Sequence, residues 1–268
     1  MSGIVHESAG ATTKTLSVTG VTLALPYPSD MLYDFQLDHR VEMNPTGIGG
    51  NWYSKVGSRY LTGSDFVLGD SPSISLPPSL RFAWNGNPAT ADNSGLSPNF
   101  TVTDKRFTQA LLFKINTGYS SSCIFAGMVH YGSWGGYMNR IGLTWDKSTG
   151  MLTLSIVHTY YSWLTTTHNM YIGQDTNWNT IVFSVDIIAG SARVWMNGVE
   201  ILSNSCYTTW DNFPEDISQL DGVGIGGGSN KRFNGDIAAA IGWKSTVNMS
   251  NADLAMISEY LMAKYGLT

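Results

Sequence analysis

The sequence predicts an all-β protein, a sandwich of antiparallel strands with one helix at the C-terminus. Apolar and polar residues alternate in one segment after another, turn motifs separate these segments, and a helical period occurs only near the end of the chain. Charged residues make up only 13% of the 268 positions, whereas the chain holds 29 glycines and 13 tyrosines. Low charge with many turn-forming and aromatic residues is typical of sheets and turns.

From residue 80 onward the apolar residues recur with a period of two, which predicts strands with one buried face. The intervening polar positions are predicted to face solvent. The strands are short and follow one another closely, as they do in sandwiches and jelly rolls. Three of the predicted inward faces are Leu111, Phe113 and Ile115; Leu152, Leu154 and Ile156; and Ile181, Phe183, Val185 and Ile187.

The dipeptide Asn197-Gly198 predicts a tight hairpin, because it lies between two alternating segments. A type I′ turn needs positive φ at both central positions, and Asn followed by Gly tolerates this best. The segment DKSTG (146–150) predicts a second turn between strands.

The single predicted helix lies at the C-terminus. Ser250 is placed to cap it, Asp253 completes a capping box, and Gly266 suits the position just after its last turn. We expect this helix to lie against an edge or an open end of the sheets. Its apolar stripe consists of Leu254, Ile257, Leu261 and Tyr265.

Several motifs occur in an order that is known from one superfamily. A tryptophan-led strand precedes the Asn-Gly hairpin, then come a glycine-rich strand, an F-x-G strand that ends in tryptophan, and the helix. By these motifs residues 80–268 resemble the concanavalin A-like lectin/glucanase superfamily, in particular laminin-G-like modules of bacterial and bacteriophage surface proteins. The resemblance implies a concanavalin A-like β-sandwich (jelly roll). The matching positions are Trp178, Ile181, Phe183, Val194, Asn197, Gly198, Gly224, Phe233, Gly235, Ile237, Ile241 and Trp243.

The beginning of the chain lacks this pattern. The segment SPSISLPPSLRF (71–82) contains three prolines and is interpreted as a connector. We therefore predict an N-terminal arm or attachment region at residues 1–75 and a lectin domain at residues 76–268. The first residues lack a basic segment followed by an apolar one, so no signal peptide is expected.

Charge and cysteine content narrow the range of partners. The formal net charge is −5 and no run of lysine or arginine occurs, which argues against a nucleic-acid partner. No apolar stretch is long enough to predict a membrane span. Cys123 and Cys206 are too few for a disulfide framework and are expected to be reduced, packed thiols.

The sequence predicts no enzyme, because the catalytic motifs of the superfamily are missing. The E-x-D-x-E strand of its glucanases and the R-[ST]-E-L segment of its alginate-type lyases do not occur. The glycines of GVGIGG (222–227) fit a dinucleotide motif, but no predicted helix follows them. Lyase or glycosidase chemistry stays open, since His130 and His158 are either structural, sugar-binding or general bases.

Three segments combine aromatic and polar residues between predicted strands: 130–140, 158–169 and 206–213. Aromatic faces stack on the apolar faces of sugars, while amides and arginines bond their hydroxyls. Two alternatives stay open, because such rings also act as lids of a core or as protein–protein contacts. The predicted carbohydrate-binding residues are Trp134, Tyr137, Asn139, Arg140, Tyr160, Tyr161, Trp163, Tyr207, Trp210 and Asn212. Trp145, Trp178, Trp195 and Trp243 lie within strand patterns and are interpreted as structural.

An acidic segment, 211–222, offers a candidate metal site. Calcium is bound by carboxylate, amide and carbonyl oxygens, which this segment supplies, although its spacing matches no EF-hand. A solvated acidic loop is the alternative. No cofactor is expected to be required, and calcium is the one left open. The four carboxylates are Asp211, Glu215, Asp216 and Asp221.

Three hypotheses about function follow, and we favour the first. The chain is a non-catalytic, lectin-like module of a bacteriophage virion that recognises bacterial surface glycans as a tail or capsid appendage, a purely structural decoration protein, or a polysaccharide-degrading enzyme. The expected partners are bacterial surface polysaccharide and, through the N-terminal region, other virion proteins at the virion surface, with no nucleic acid and no membrane. Single lectin sites bind weakly, so a homo-oligomer, such as a trimer, is expected to supply avidity.

Overall fold

The computed structural model describes residues 16–18, 21–63, 66–72, 78–82, 97–98, 106–116, 121–131, 136–146, 148–157, 165–172, 177–186, 191–205, 222–228, 231–243 and 248–267. Within these ranges the structure consists of strands, one 3-10 helix (Pro28–Asp30) and one α-helix, α1 (Asn251–Tyr265). The strands are β1 (Leu16–Val18), β2 (Val21–Leu23), β3 (Met31–Gln36), β4 (Val41–Met43), β5 (Gly50–Tyr53), β6 (Tyr60–Gly63), β7 (Phe66–Leu68), β8 (Leu80–Phe82), β9 (Ser97–Pro98), β10 (Arg106–Ile115), β11 (Ser121–Tyr131), β12 (Gly136–Asp146), β13 (Met151–Val157), β14 (Thr165–Tyr171), β15 (Trp178–Asp186), β16 (Ser191–Met196), β17 (Val199–Ser205), β18 (Gly222–Ile225), β19 (Gly227–Gly228), β20 (Lys231–Arg232) and β21 (Gly235–Trp243).

Two antiparallel sheets form the body of the fold. The main sheet has the order β17-β16-β15-β10-β21-β8-β7, and β3 pairs with β21 as well. The second sheet has the order β14-β13-β12-β11-β18. Smaller sheets are formed by β4-β5-β6-β9, by β1 and β2, and by β19 and β20. The predicted all-β sandwich with a C-terminal helix is confirmed.

Aromatic side chains join the two large sheets across the core. Phe125 of the second sheet lies 5.5 Å from Phe107 and 5.1 Å from Phe183 of the main sheet, measured between ring centroids. All three rings are almost completely buried. Burial of rings of this size removes a large apolar area from water, which stabilises the contact between the two sheets.

The second sheet follows the predicted alternation. Leu152, Leu154 and Ile156 of β13 are buried, and the residues between them are partly exposed. The main sheet departs from this alternation. The positions of β15 that were expected to face solvent are buried as well, namely Thr180, Val182 and Ser184. The helix α1 contacts β10, β15 and β16 and covers this second face.

The C-terminal helix is capped as predicted. Ser250 Oγ accepts a hydrogen bond from the Asp253 backbone N–H at 3.2 Å, and Asp253 Oδ2 accepts one from the Ser250 N–H at 2.8 Å. Gly266 adopts a left-handed conformation with φ of 67°. The expected position at a sheet edge is wrong, because the apolar stripe of α1 packs on the face of the main sheet.

A buried polar network fixes the helix to the sheet. Ser258 Oγ lies 2.7 Å from Thr180 Oγ1 and accepts a hydrogen bond from the Gly198 N–H at 2.9 Å. Asn197 and Gly198 have φ of 50° and 79°, so the predicted Asn-Gly hairpin is confirmed. Asn197 Oδ1 also accepts from the Thr180 N–H at 2.9 Å. Buried polar groups that are paired in this way orient packed elements without the cost of unsatisfied donors.

The strand β3 belongs to the main sheet, although it lies within the segment predicted as an N-terminal arm. Gln36 to Met31 pair with Ala239 to Trp243 of β21, and every residue of β3 is buried. Residues 31–36 are therefore part of the sandwich core. An attachment role for the rest of residues 1–75 stays a prediction.

Four charged side chains meet where β3 passes under the end of α1. Lys264 Nζ lies 3.0 Å from Asp38 Oδ2, and Lys55 Nζ lies 2.6 Å from Asp38 Oδ1. Burial, reinforced by the charge of Lys55, lowers the pKa of Lys264 to about 8. Burial also raises the pKa of Asp34, against the effect of Lys55. Burial opposes ionisation of Asp38 too, but the two lysines outweigh it and lower the pKa of that carboxyl.

We predict that the free energy of unfolding rises between pH ~8 and ~9.5. In this range the folded Lys264 has released its proton while the same lysine in the unfolded chain retains it, so raising the pH favours the folded state. The expected rise is on the order of 1 kcal/mol, measured by urea denaturation at several pH values.

The Lys264→Met variant should lose this rise, because it has no amine to titrate. The Lys264→Arg variant should lose it as well, because a guanidinium stays charged throughout the range. An unchanged pH dependence in both variants would contradict the assignment.

Candidate functional site

Most of the sequence-predicted binding residues lie outside the described residues. These are Trp134, Tyr160, Tyr161, Trp163, Tyr207, Trp210 and Asn212, together with the carboxylates Asp211, Glu215, Asp216 and Asp221 and with His158. Their roles stay predictions. Among the described residues, no group of three or more His, Cys, Asp and Glu side chains is arranged to hold a metal ion.

The described strand ends bring two of the three aromatic segments to one end of the second sheet. The first segment leaves β11 at Tyr131 and re-enters at Gly136, which pairs with it. The second runs between Val157 and Thr165, which also pair. The third segment, 206–213, follows Ser205 at the end of β17, which belongs to the main sheet. The first two segments are therefore attached to the second sheet at the same end.

Three predicted binding residues lie on the described backbone of this end. Tyr137 pairs with His130, and Asn139 pairs with Met128. The register between β11 and β12 shifts at this point, so that Arg140 lies at a β-bulge. Bulges change the direction of a strand locally, and they recur next to functional sites.

The outward side of β12, β13 and β14 forms a polar surface, which we call the polar face. Its members lie in three rows across the strands, because directly paired residues point to the same side of a sheet. None of these positions carries lysine, arginine or glutamate, and Asp146 carries the one charge. The rows are Gly142, Ser155 and Thr167; Thr144, Thr153 and Asn169; and Asp146, Met151 and Tyr171.

The polar face presents hydroxyl and amide groups at fixed positions. Thr153 Oγ1 donates a hydrogen bond to Asn169 Oδ1 at 2.8 Å, which orients the Asn169 amide. The amide nitrogen of Asn169 is left to donate elsewhere. Asp146 Oδ1 accepts from the backbone N–H and the hydroxyl of Ser148, at 2.9 and 2.6 Å, and these hydrogen bonds lower the pKa of the carboxyl. The carboxylate of Asp146 therefore stabilises the turn that follows β12.

Among the large hydrophobic residues that the structure describes, Tyr171 is the most exposed, with 75% of its surface accessible to solvent. It stands at the corner of the polar face, where β14 ends. An aromatic ring this exposed gains little from packing within the chain. It can instead cover the apolar side of a ligand while its hydroxyl stays in water.

Gly142 leaves a hollow in the polar face. A Cβ added there would meet only Ser155 Cβ, at 4.0 Å, so neither a close approach nor a left-handed backbone requires the glycine. Gly235 is the opposite case, since its Cβ would overlap the carbonyl oxygen of Lys114 and approach Phe233 Cζ to 2.6 Å. A strand glycine without a packing reason allows another molecule to approach the backbone.

Sequence reasoning missed the polar face as a site. The sequence identifies the outward positions of β13 only as the solvent side of a strand. Which strands lie beside β13 depends on strand pairing, and the sequence pattern does not give that pairing. The four tryptophans interpreted as structural are placed as expected: Trp145, Trp195 and Trp243 are buried, and Trp178 is half-buried against the core. Within the described part of the chain, no helix is long and apolar enough to span a membrane.

The comparisons with known proteins show that this chain shares its fold with sialidase structures. No protein-family model and no curated protein matches the chain. Trypanosoma rangeli sialidase is similar in structure, with a TM-score of 0.60 and 11% identity over 94% of this chain and 36% of the sialidase. The same sialidase in complex with 2,3-difluorosialic acid gives a TM-score of 0.60 and 12% identity over 97% of this chain and 37% of the sialidase. A CBM40 of Ruminococcus gnavus IT-sialidase bound to α2,6 sialyllactose has a TM-score of 0.45 and 15% identity, over 59% of this chain and 84% of that one.

These identities are low, and the chain spans little more than a third of the sialidase, so the likeness extends to the architecture of the sandwich. The chain therefore has a β-sandwich fold of the kind found in sialidase structures. Which molecule this chain binds has to be argued from its own residues.

We predict that Gly142→Ala leaves the free energy of unfolding unchanged or raises it by up to about 1 kcal/mol, because alanine loses less conformational entropy on folding. The matched variant Gly235→Ala should lose ~2 kcal/mol or more, since its Cβ overlaps a fixed carbonyl. Urea denaturation of both variants measures the contrast. Equal losses would mean that Gly142 is needed by the fold rather than left open for a ligand.

Proposed function

We propose that this protein is a non-catalytic carbohydrate-binding module whose glycan lies on the polar face. The observation that carries the proposal is the arrangement of hydroxyl and amide groups around the open position of Gly142, with the exposed ring of Tyr171 at the corner. Sugars need this combination, because their hydroxyls seek fixed donors and acceptors while their C–H faces seek aromatic surface.

The polar groups suit an uncharged polyhydroxylated ligand. Thr153 holds Asn169 in place, so that its amide nitrogen is directed by a hydrogen bond rather than by chance rotation. Ser155 and Thr167 add hydroxyls that donate or accept as a ligand requires. The hollow at Gly142 lets a flat sugar ring approach the sheet beside Ser155, and Thr167 lies on the other side of Ser155 in the same row.

The first two aromatic segments extend this surface in the proposal. Their strand ends lie at one end of the second sheet, beside the row of Gly142 and Ser155. Trp134 and Trp163 are the predicted stacking residues of the first two segments. We propose that a glycan chain runs from the polar face toward this end, so that an extended polymer gains contacts that a single sugar does not.

The proposed ligand is a bacterial surface polysaccharide and the proposed location is the surface of a bacteriophage virion. Both rest on the sequence resemblance to laminin-G-like modules of phage and bacterial surface proteins. One of the similar sialidase structures is a complex with 2,3-difluorosialic acid. Sialylated glycans therefore belong in any test, although the shared fold alone does not assign them to this chain.

The first experiment is a glycan array of bacterial surface polysaccharides and sialylated oligosaccharides, probed with the full chain with and without calcium. We expect selective binding, and calcium dependence if the predicted carboxylates of residues 211–222 hold a metal. Silence on the array would contradict the proposal and favour the decoration protein. Shortening of a bound polymer would contradict the non-catalytic assignment.

Variants then locate the site. Tyr171→Ala should weaken binding of a selected glycan about fivefold to tenfold, since a lost stacking contact costs about 1 kcal/mol. Tyr27→Ala is the matched control, because Tyr27 is also exposed but donates to Asp253 at the start of α1. Gly142→Val should abolish binding by filling the hollow. Full affinity in Tyr171→Ala and Gly142→Val would place the glycan elsewhere.

A further inference from the structure

Among the described residues, β14 is the last strand of the second sheet and pairs only with β13. Ile172 N–H donates to the Gly150 carbonyl at 2.9 Å, and this bond fixes which residues of β14 face β13. Alternate residues of an antiparallel strand bond to the neighbour on one side, so the backbone groups of Thr167, Asn169 and Tyr171 point away from β13. Among the described residues no strand pairs with that side.

This edge lacks the features that usually prevent pairing with another chain. Edge strands are normally interrupted by bulges, proline or charged side chains. The sequence of β14, TTTHNMY, has no charged residue and no proline, and its register with β13 is continuous over seven residues.

The two edges of the main sheet are different. The strand β17 carries Glu200 and pairs with β16 through a register shift at Val194, while β7 is only three residues long. The contrast distinguishes β14 from both edges of the main sheet. The other edge strand of the second sheet, β18, is only four residues long.

We propose that two copies of this chain associate by antiparallel pairing of their β14 strands, with the two-fold axis at His168. In this register Thr167 of one copy pairs with Asn169 of the other, and Thr165 pairs with Tyr171. These are the residues whose backbone groups point outward, so donors and acceptors on both strands are satisfied reciprocally. The register uses the full length of the strand.

A second copy fits this edge because β14 is uncharged. In a two-fold contact each residue meets a residue of the same strand, and like charges directly opposite each other would be destabilising. The pairing also joins the two polar faces into one surface, because Thr167, Asn169 and Tyr171 of each copy lie at the junction. The dimer places two copies of the proposed glycan site side by side, which raises avidity for a polymer. It takes the place of the trimer expected from the sequence.

The dimer is expected to be reversible. A seven-residue edge buries less surface than the ~1,200 Å² typical of a stable interface, so association should require micromolar or higher concentrations. Sedimentation velocity of the full chain without glycan should show a transition from one copy to two as concentration rises. A single species with the mass of one chain at every concentration would overturn the proposal.

Two variants of Thr167 test the edge itself. Thr167→Pro removes the outward N–H but no bond to β13, so the chain should fold and remain a monomer. Thr167→Val keeps the N–H and the shape of the side chain and should dimerise like the unaltered chain. A dimer that survives Thr167→Pro would place the contact elsewhere and overturn the proposal.

A cysteine at the two-fold axis tests the register. The two copies of residue 168 would form a non-hydrogen-bonded pair with Cα atoms ~4.5 Å apart, within disulfide range. His168→Cys should form a disulfide-linked dimer on mild oxidation, identified by mass spectrometry of the 168–168 peptide. Tyr171→Cys is the control, because its two copies would lie ~20 Å apart. These measurements need no glycan, so their failure and the failure of the proposed function are distinguishable, and Gly142→Val should still dimerise.

Discussion

The contact of Phe125 with Phe107 and Phe183 is the interaction on which the rest of the structure depends. It is where the second sheet is held against the main sheet, and the polar face exists only because the other side of its strands is buried there. The apolar residues of β12 and β13 point into this core, so their neighbours must point outward. The position of each hydroxyl on the polar face therefore follows from the packing behind it.

The main sheet serves as the rigid support of the second. Its central strands are buried on both faces, by the second sheet on one side and by α1 on the other. The polar network of Ser258, Thr180 and Asn197 fixes the helix in one position. Such a support allows the second sheet to present polar groups to solvent without loss of order, which a binding surface requires.

Local patterns in the sequence predicted the sandwich, the Asn-Gly hairpin and the capped helix, because each depends on residues close together in the chain. The burial of Thr180 and Val182 was not predicted, because it depends on which part of the main sheet α1 packs against. The polar face was missed for the same reason: Thr153 reads as an ordinary outward residue until its pairing with Thr144 and Asn169 is known. Tertiary pairing, which no local pattern records, decides both.

Backbone amide chemical shifts, measured by NMR during titration with a glycan selected from the array, report where the glycan lies. If it lies on the polar face, the largest changes should fall on the outward residues of β12, β13 and β14, around Gly142, Ser155, Thr167 and Tyr171, and the main sheet and α1 should change little. Changes centred on α1 or on the edge strands of the main sheet would contradict this placement of the glycan, as would saturable binding that leaves the polar face unchanged.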